Sequence, residues 1–494
     1  MPKHMDVKPE DILNEAKKYI TNEDSIALIQ KGMDYAAKKH EGQFRKSGEP
    51  YVVHIYNVGY LLATLRVGPK TITAGLLHDV LEDCDVSAEE MTKEFDAEIT
   101  ELVESVTKLR NLHFQDVKEY QAANHRKIFI AMARDVRVII IKLVDRLHNM
   151  RTLQFQPPEK QKRIAAETLE VYAPIAHRLG ISEIKNELED LSFYYLNNEE
   201  YHHIAKLVEA KKAERDEAVK KMIAQISELL EANHIEFRIF GRSKHFYSIY
   251  KKMMLKNKRF DEILDLLAIR IVTKTELNCY EILGHIHATY RPIPGRLKDY
   301  IAVPKMNMYQ SLHTTIIGEE GKIFEVQIRT EVMDSVAEKG VAAHWRYKEG
   351  SKYDANTEQK EIEERLSWLK DFAAYNDETE SSTEYMESLT RDVFEANVYV
   401  MTPNGKVIDL PNGACPIDFA YRIHTDVGHS AVGAIVNGAL VPWNTPLKTG
   451  DVVQIRTSKQ VNGPSEDWLK LVKTSKARNK IKSWLTKQEL EARK

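Results

Sequence analysis

The spacing of apolar and polar positions divides the chain into regions of different period. Over residues 1–196 apolar positions recur at helical spacing and predict helix after helix. Ser87 to Glu90 reads as an S-x-x-E capping box opening a helical segment that runs to about Leu109. Asp135 to Leu153 carries Val138, Ile141 and Val144 on one stripe, a further helix. Pro174 predicts a kink in a helix ending at Gly180. Residues 199–233 contain no Gly or Pro and are rich in charge, which predicts one long connecting helix.

The period then shortens. Glu236 to Phe240, Leu267 to Val272, Thr314 to Ile317 and Ile323 to Arg329 are short β-rich runs mixed with helices such as Ser243 to Leu255, so 197–347 reads as an α+β region. Residues 348–392 are acidic and rich in Ser, Thr and Glu, the composition of a linker, with one helix around Glu361 to Phe372. In 393–456 alternation returns, punctuated by Pro403-Asn404-Gly405, Pro411-Asn412-Gly413 and Asn437-Gly438, which predicts a small β-rich unit. Residues 457–494 end in a basic helix, Lys476 to Lys494, and read as the start of a truncated helical region.

Composition narrows the class. The chain has 494 residues, 43% hydrophobic and 29% charged, enough apolar side chain for several cores and too much for a disordered chain. With 71 Lys+Arg against 74 Asp+Glu the net charge is −3, which excludes a globally basic nucleic-acid binder. Three scattered cysteines (Cys84, Cys279, Cys415) exclude a disulfide framework and a cysteine zinc module and fit a reducing cytoplasm. The first twenty residues lack the apolar core of a signal peptide, and no run approaches the ~20 apolar residues of a membrane span. The expectation is a cytoplasmic protein with no membrane partner.

The first chemical constellation is His54, His78, Asp79 and Asp145. Phosphohydrolase metal sites combine neutral imidazoles with carboxylates and leave room for water. Singly, each residue could be a satisfied core histidine or a capped carboxylate. Together they are harder to explain that way. His78 and Glu82, like Asp79 and Asp83, are four apart, which places four polar groups on adjoining faces of one helix turn flanked by Gly75-Leu76-Leu77 and Val80-Leu81. Asp145, His148 and Asn149 share a face of the helix that begins in Val138 to Val144.

FRKSGEPYVVH at 44–54, HDVLED at 78–83 and DRLHNMRTL at 145–153 resemble the HD hydrolase domain of the RelA/SpoT-homologue alarmone enzymes. That family makes and breaks guanosine tetra- and pentaphosphate. The resemblance implies His54, His78, Asp79 and Asp145 as Mn²⁺ ligands, and Glu82 and Asp83 as the acidic pair that handles water and proton transfer. Arg45, Lys46, Ser47, Asn149 and Thr152 would bind the nucleotide. Cys84 stands where the family pattern has Thr. The synthetase-only branch lacks these ligands.

A second constellation lies further on. Arg238 to Phe260 holds eight Lys/Arg and no acidic residue around a strand-to-helix turn, where helix-N-terminal amides favour phosphate; a solvated basic face or an RNA patch has the same composition. No Walker A or GxGxxG sequence is present. In Lys322 to Arg329, period two puts Phe324, Val326 and Ile328 on one face and Glu325, Gln327 and Arg329 on the other, either a solvated outer face or a site. Asp265 precedes the run at Leu267, and two carboxylates beside a basic cradle suit Mg²⁺-assisted phosphoryl transfer.

GRSKHFYSIYKKM at 241–253, RLKDYIAVPKMNMYQSLHT at 296–314 and EVQIRT at 325–330 resemble the same family's synthetase domain. The resemblance implies Asp265 and Glu325 as catalytic Mg²⁺ ligands, with Glu325 also activating the acceptor 3′-hydroxyl. Tyr309 would stack on guanine. Arg242, Lys244, Ser248 and Lys252 would engage ATP, and Lys305, Asn307, His313 and Gln327 would line the site. Arg296-Leu297-Lys298-Asp299 resembles the basic form of a loop whose acidic form marks synthetase-only members.

VYVMTPNGKVIDLP and CPIDFAYRIHTDVGH resemble a TGS domain, a ubiquitin-like β-grasp module, which implies tRNA contact with His424 as the candidate. Four Lys/Arg against five Asp/Glu in 393–456 give no electrostatic footprint for RNA, and a protein-contact module is the alternative.

The expected fold is therefore multidomain. It comprises an all-α HD-type hydrolase domain (1–196), an α+β nucleotidyltransferase-like synthetase domain (197–347), and a small β-grasp TGS domain (393–456). The expected function is that of a bifunctional enzyme acting on ATP, GDP, GTP, ppGpp and pppGpp in the stringent response, with the ribosome and uncharged tRNA as further partners. A hydrolase with a degenerate synthetase domain and a non-enzymatic ribosome- or tRNA-associated factor are the competing readings.

Overall fold

The computed structural model describes residues 6–108, 135–210, 212–242, 244–256, 259–260, 263, 267–305, 307–340, 397–458, 460 and 463–492. They fall into two compact units, one up to Gly340 and one from Asn397. Asp265 and the linker 348–392 with its helix lie outside the described residues.

The first unit begins with helices. Val52–Thr64 and Pro69–Leu76 pack closely because glycines remove side chains at their crossing: a Cβ on Gly75 would overlap Leu62, and one on Gly59 would overlap Leu76. Val136–Arg151 is capped by Asp135, whose side chain accepts from Arg137 N, and it buries Val138, Ile141 and Val144 as the stripe predicts. Ser87 does cap a helix, but that helix is only Ala88–Glu94. A second, Ala97–Lys108, starts after the chain breaks at Phe95, and Asp96 accepts from Ile99 N at 2.7 Å to restart it. Near Pro174 the helix Pro158–Glu167 widens into a π turn over Thr168–Tyr172 before Ala173–Arg178 continues. Proline lacks the N–H that a regular α turn would use there, which accounts for the widening.

Where the long helix is expected, Asn198–Ala210 and Lys212–Ala232 are helical, and residue 211 lies outside the described residues. They serve different cores. Ile204 packs with Phe193, Ile249 and Phe260, whereas Met222, Ile226 and Leu230 pack under the sheet.

That sheet has six strands: β1 (Phe237–Arg242), β2 (Ala268–Thr273), β3 (Arg291–Pro292), β4 (Lys298–Asp299), β5 (Leu312–Ile317) and β6 (Ile323–Thr330). The order is β1-β2-β6-β5-β3, with β4 also on β5; β2 and β6 are parallel and the other pairs antiparallel. One face is apolar, Ile269, Ile271, Phe324, Val326, Ile328, Leu312 and Ile316, and is covered by Glu276–Thr289 and Lys212–Ala232. Residues paired directly across strands share a face. The register Arg270↔Gln327↔His313 and Ala268↔Glu325 therefore collects polar side chains on the opposite face. This face is not a solvated exterior, since Arg270, Gln327 and Arg329 are all buried.

In the second unit a hairpin of β7 (Asn397–Met401) and β8 (Val407–Pro411) and a sheet ordered β10-β9-β11 (Ala439–Val441, Ala431–Val436, Val453–Thr457) surround the helix Pro416–Ile423. Asn437 and Gly438 both have positive φ, 53° and 83°, as a tight β9–β10 turn requires. Buried Asp418 accepts from Cys415 N, Thr474 N and Thr474 Oγ1 at 2.7–2.9 Å, and Ala477 and Ile481 of Ser475–Ala492 pack on Ile417 and Tyr421. The C-terminal helix thus shares a core with the β-grasp unit. Among the described residues no helix is long and apolar enough to cross a membrane.

Candidate active sites

The expected i, i+4 crowding around His78 is not on one continuous helix turn. Pro69–Leu76 ends first, His78 and Asp79 lie in a turn, and Val80–Asp83 follows. The imidazole itself binds a carbonyl of the preceding helix, His78 Nδ1 donating to Gly75 O at 2.8 Å. That bond fixes Nε2 toward the pocket.

There ligand atoms of His54, His78 and Asp145 lie within 4.8 Å of one another, and Asp79 Oδ2 stands beside the two imidazoles. His78 Nε2 is 3.1 Å from Asp79 Oδ2 and 3.8 Å from Asp145 Oδ1. His54 Nε2 is 3.7 Å from Asp79 Oδ2, 3.5 Å from Asp145 Oδ1 and 3.4 Å from His78 Nε2. All four side chains are buried. The buried group of His54, His78 and Asp145 at this spacing fits a divalent cation, whose ligands stand ~2.0–2.2 Å from it.

The electrostatics agree. Burial pushes Asp145 up, but Lys142 and His78 outweigh it and hold the carboxyl far below its usual range. Asp79 behaves likewise, with His78 outweighing burial. Burial lowers His78, yet Asp79 and Asp145 raise it to about 10, so in the metal-free chain a proton compensates the carboxylates. Burial, with Arg45 and His148 nearby, keeps His54 neutral.

Around these ligands Arg45 donates to His148 Nδ1 (3.1 Å), to Thr152 Oγ1 (3.3 Å) and to Asn149 Oδ1, which gathers three of the sequence-predicted nucleotide residues. Ser47 folds back on Glu49 at 3.0 Å, and Lys46 is exposed on the same hairpin. Tyr51 donates to Asp79 Oδ2 (2.5 Å) and lies 3.0 Å from Asp83 Oδ2, and thereby ties a ligand to one member of the acidic pair; Glu82 is half-buried beside it. Tyr51, Lys142 (Nζ 2.5 Å from Asp145 Oδ2) and His148 are site residues that the sequence reading left without a role. The only signal was His148's place on the face of Asp145.

The synthetase-type site occupies the polar sheet face. Arg329 donates to the Tyr309 hydroxyl (2.8 Å), which donates to His313 Nε2 (2.7 Å); His313 Nδ1 then faces Glu325 Oε1 at 3.4 Å. Gln327 donates to Glu325 Oε1 (2.8 Å) and accepts from Arg242 (3.3 Å) and Arg329 (3.0 Å). Burial raises the Glu325 carboxyl, but His313, Gln327 and Lys244 hold it at about 2. Lys305 stands over the rings of Tyr300 (4.4 Å) and Tyr309 (5.1 Å), and burial and Lys298 lower its pKa. Ser248 and Lys252 lie half-buried on Phe246–Lys256. Asn307 turns elsewhere, donating to His177 O at 3.3 Å. Leu267, two residues after Asp265, accepts from Glu325 N at 2.9 Å.

His424 is exposed between Pro416–Ile423 and Thr425–His429 and accepts from Asp426 N at 3.2 Å.

The helical region matches the HD domain family over residues 32–182, residues 241–352 match the region found in RelA/SpoT proteins, and 398–457 match the TGS domain. Three curated relatives are each 46% identical. A guanosine-3′,5′-bis(diphosphate) 3′-pyrophosphohydrolase from Spiroplasma citri matches 98% of this chain and 66% of its own. A GTP pyrophosphokinase from Myxococcus xanthus matches 94% and 61%. The bifunctional (p)ppGpp synthase/hydrolase SpoT of Escherichia coli K12 matches 96% and 67%. An HD domain, a region found in RelA/SpoT proteins and a TGS domain on one chain define the class. The chain belongs to the RelA/SpoT family, and it spans about two thirds or less of the length of these relatives.

Proposed function

We propose that this chain is a bifunctional alarmone enzyme. It transfers pyrophosphate from ATP to the 3′-hydroxyl of GDP or GTP, and it hydrolyses the 3′-pyrophosphate of the product to GDP or GTP and PPi. The observation that carries the reading is the presence of two separate, internally complementary sites, the four-donor pocket at His54 and the Arg329–Tyr309–His313–Glu325 chain.

In hydrolysis, His54, His78, Asp79 and Asp145 would hold Mn²⁺. A divalent ion there supplies Lewis acidity and a lowered pKa for water. Arg45, at the pocket edge, pairs with the substrate's phosphate oxygens through charge-assisted hydrogen bonds. Asp83, oriented by Tyr51, and Glu82 accept the proton of the attacking water and return one to the departing 3′-oxygen.

In synthesis, Glu325 is ionised and takes the proton of the acceptor 3′-hydroxyl as its oxygen attacks the β-phosphorus of ATP, with AMP departing. Arg242, Lys244 and Lys252 neutralise the triphosphate, and Tyr309 and Lys305 form the wall for guanine. Glu325 and Asp265 would hold Mg²⁺, which supplies charge neutralisation of the phosphates. The TGS unit offers a contact for tRNA or the ribosome through His424, and the enzyme works in the cytoplasm.

The test is turnover by the purified chain without ribosomes, with ATP plus GDP and separately with ppGpp plus Mn²⁺. Both products are expected, and nucleotides left unchanged in both reactions would remove the enzymatic reading.

A further inference from the structure

His148 is buried at 5% exposure on Val136–Arg151, one turn from Asp145. Its Nδ1 lies 2.8 Å from His54 Nδ1 and 3.1 Å from Arg45 Nη1. A guanidinium can only donate. His148 Nδ1 must therefore carry the lone pair, and a second nitrogen 2.8 Å from that lone pair must be its N–H partner. His54 is thereby held as the Nδ1–H tautomer with Nε2 bare, aimed at Asp79, Asp145 and His78.

We infer that His148 is the positioning residue that sets the tautomer and ring orientation of His54, and so prepares the pocket for its cation before the cation arrives. The logic parallels the partner of the other histidine. His78 has its tautomer fixed by the Gly75 carbonyl, whereas His54 sits in a helix whose carbonyls are engaged and so borrows an acceptor from a facing helix. Groups in this position on metal-bound histidines typically change metal affinity about 10–100-fold when removed. Arg45 completes the arrangement, because only an obligate donor on the same atom forces His148 into the accepting form.

The inference rests on the proposed metal role of this pocket, and two measurements separate their fates. The first reads the wild-type, metal-free chain by ¹⁵N NMR of its imidazoles. His54 is expected as Nδ1–H with Nε2 unprotonated, and a His54 protonated at Nε2 alone would overturn the inference whatever the metal does.

The second is Mn²⁺ titration followed by the electron paramagnetic resonance of free Mn²⁺. Wild type binds, His148→Leu binds about 10–100-fold more weakly, and His148→Asn, which places a carbonyl oxygen near the lost Nδ1, recovers most of the affinity. Equal affinity of wild type and His148→Leu sinks the inference and leaves the metal site standing. Equal losses in Leu and Asn variants point to volume rather than an acceptor and also sink it. Absence of Mn²⁺ binding by wild type instead removes the metal reading. Should His148→Leu fail to fold, the NMR reading and the Asn variant decide.

Discussion

Gly340, which closes the helix Glu331–Lys339 at φ +58°, packs backbone to backbone against Gly180, itself at φ +73°: a Cβ on Gly180 would lie 3.0 Å from Gly340 Cα and 2.9 Å from Asn307 O. With the Asn307 to His177 hydrogen bond, this contact ties the helical layer to the loop that carries Lys305 and Tyr309.

On the proposed bifunctional reading, opposed activities would consume ATP to no end unless one site restrained the other, and this contact is where that restraint is expected. Linkage requires GDP plus an ATP analogue to weaken ppGpp binding by the same factor that ppGpp weakens theirs, typically about 5–150-fold. In an Asp83→Asn, Glu325→Gln background, adding Gly180→Ala should bring both factors toward one, because the new Cβ cannot share the space. Calorimetric titration of each ligand with and without the other measures this. Coupling that survives Gly180→Ala undiminished would place the link elsewhere.

Lys142 neutralises Asp145 inside the pocket. Lys142→Met should destabilise the metal-free chain by about 3 kcal/mol, as breaking a buried pair does. Mn²⁺ should then raise the melting temperature of the variant more than that of wild type, since the cation takes over the lost compensation. Equal gains in thermal denaturation would mean that Lys142 and the cation act on different charges.

His78 gives a pH prediction. Its folded-state pKa is raised to about 10, so in the metal-free chain the stability it contributes is complete below its unfolded value near 6.5 and is lost as pH climbs through 10. A metal must displace that proton. Binding of Mn²⁺ near pH 8 should release about one proton, read as a dependence of calorimetric heat on buffer ionisation enthalpy. No dependence would show His78 to be neutral beforehand.

Much of this was legible in the sequence, and the reason differs by residue. His54, His78, Asp79 and Asp145 could be put forward as one set because donor chemistry is a property of residue type, and packing brings their side chains near one another. The β5 and β6 strands, the Asn437-Gly438 turn and the helical stripe of Val138, Ile141 and Val144 were visible because they are local. Tyr51, Lys142 and His148 were not given roles, since each acts through a hydrogen bond or ion pair whose partner only packing reveals. The break at Leu77 was hidden because a His78 bond to Gly75 O, rather than any Gly or Pro, ends that helix. The polar face of β6 could not be told from a solvated one until β2 and β5 flanked it with Arg270 and His313.

The Tyr309 hydroxyl joins Arg329 to His313. Tyr309→Phe removes the donor to half-buried His313 Nε2 and one of the acceptors of buried Arg329, which keeps Gln327 Oε1, a loss of about 1–3 kcal/mol. Synthesis should fall about 5–150-fold in kcat/KM while ppGpp hydrolysis holds. Synthesis unchanged by Tyr309→Phe, which keeps the ring, would reduce Tyr309 to a stacking surface.

The central claim, two chemistries carried by separate residues on one chain, is tested most directly by assaying both reactions in two variants. Asp79→Ala should abolish Mn²⁺-dependent ppGpp hydrolysis and leave synthesis intact, because it removes a ligand from one pocket only. Glu325→Gln should lose synthesis and keep hydrolysis, because an amide neither holds a divalent cation well nor accepts the proton. Near wild-type hydrolysis by Asp79→Ala, or retained synthesis by Glu325→Gln, would contradict the account.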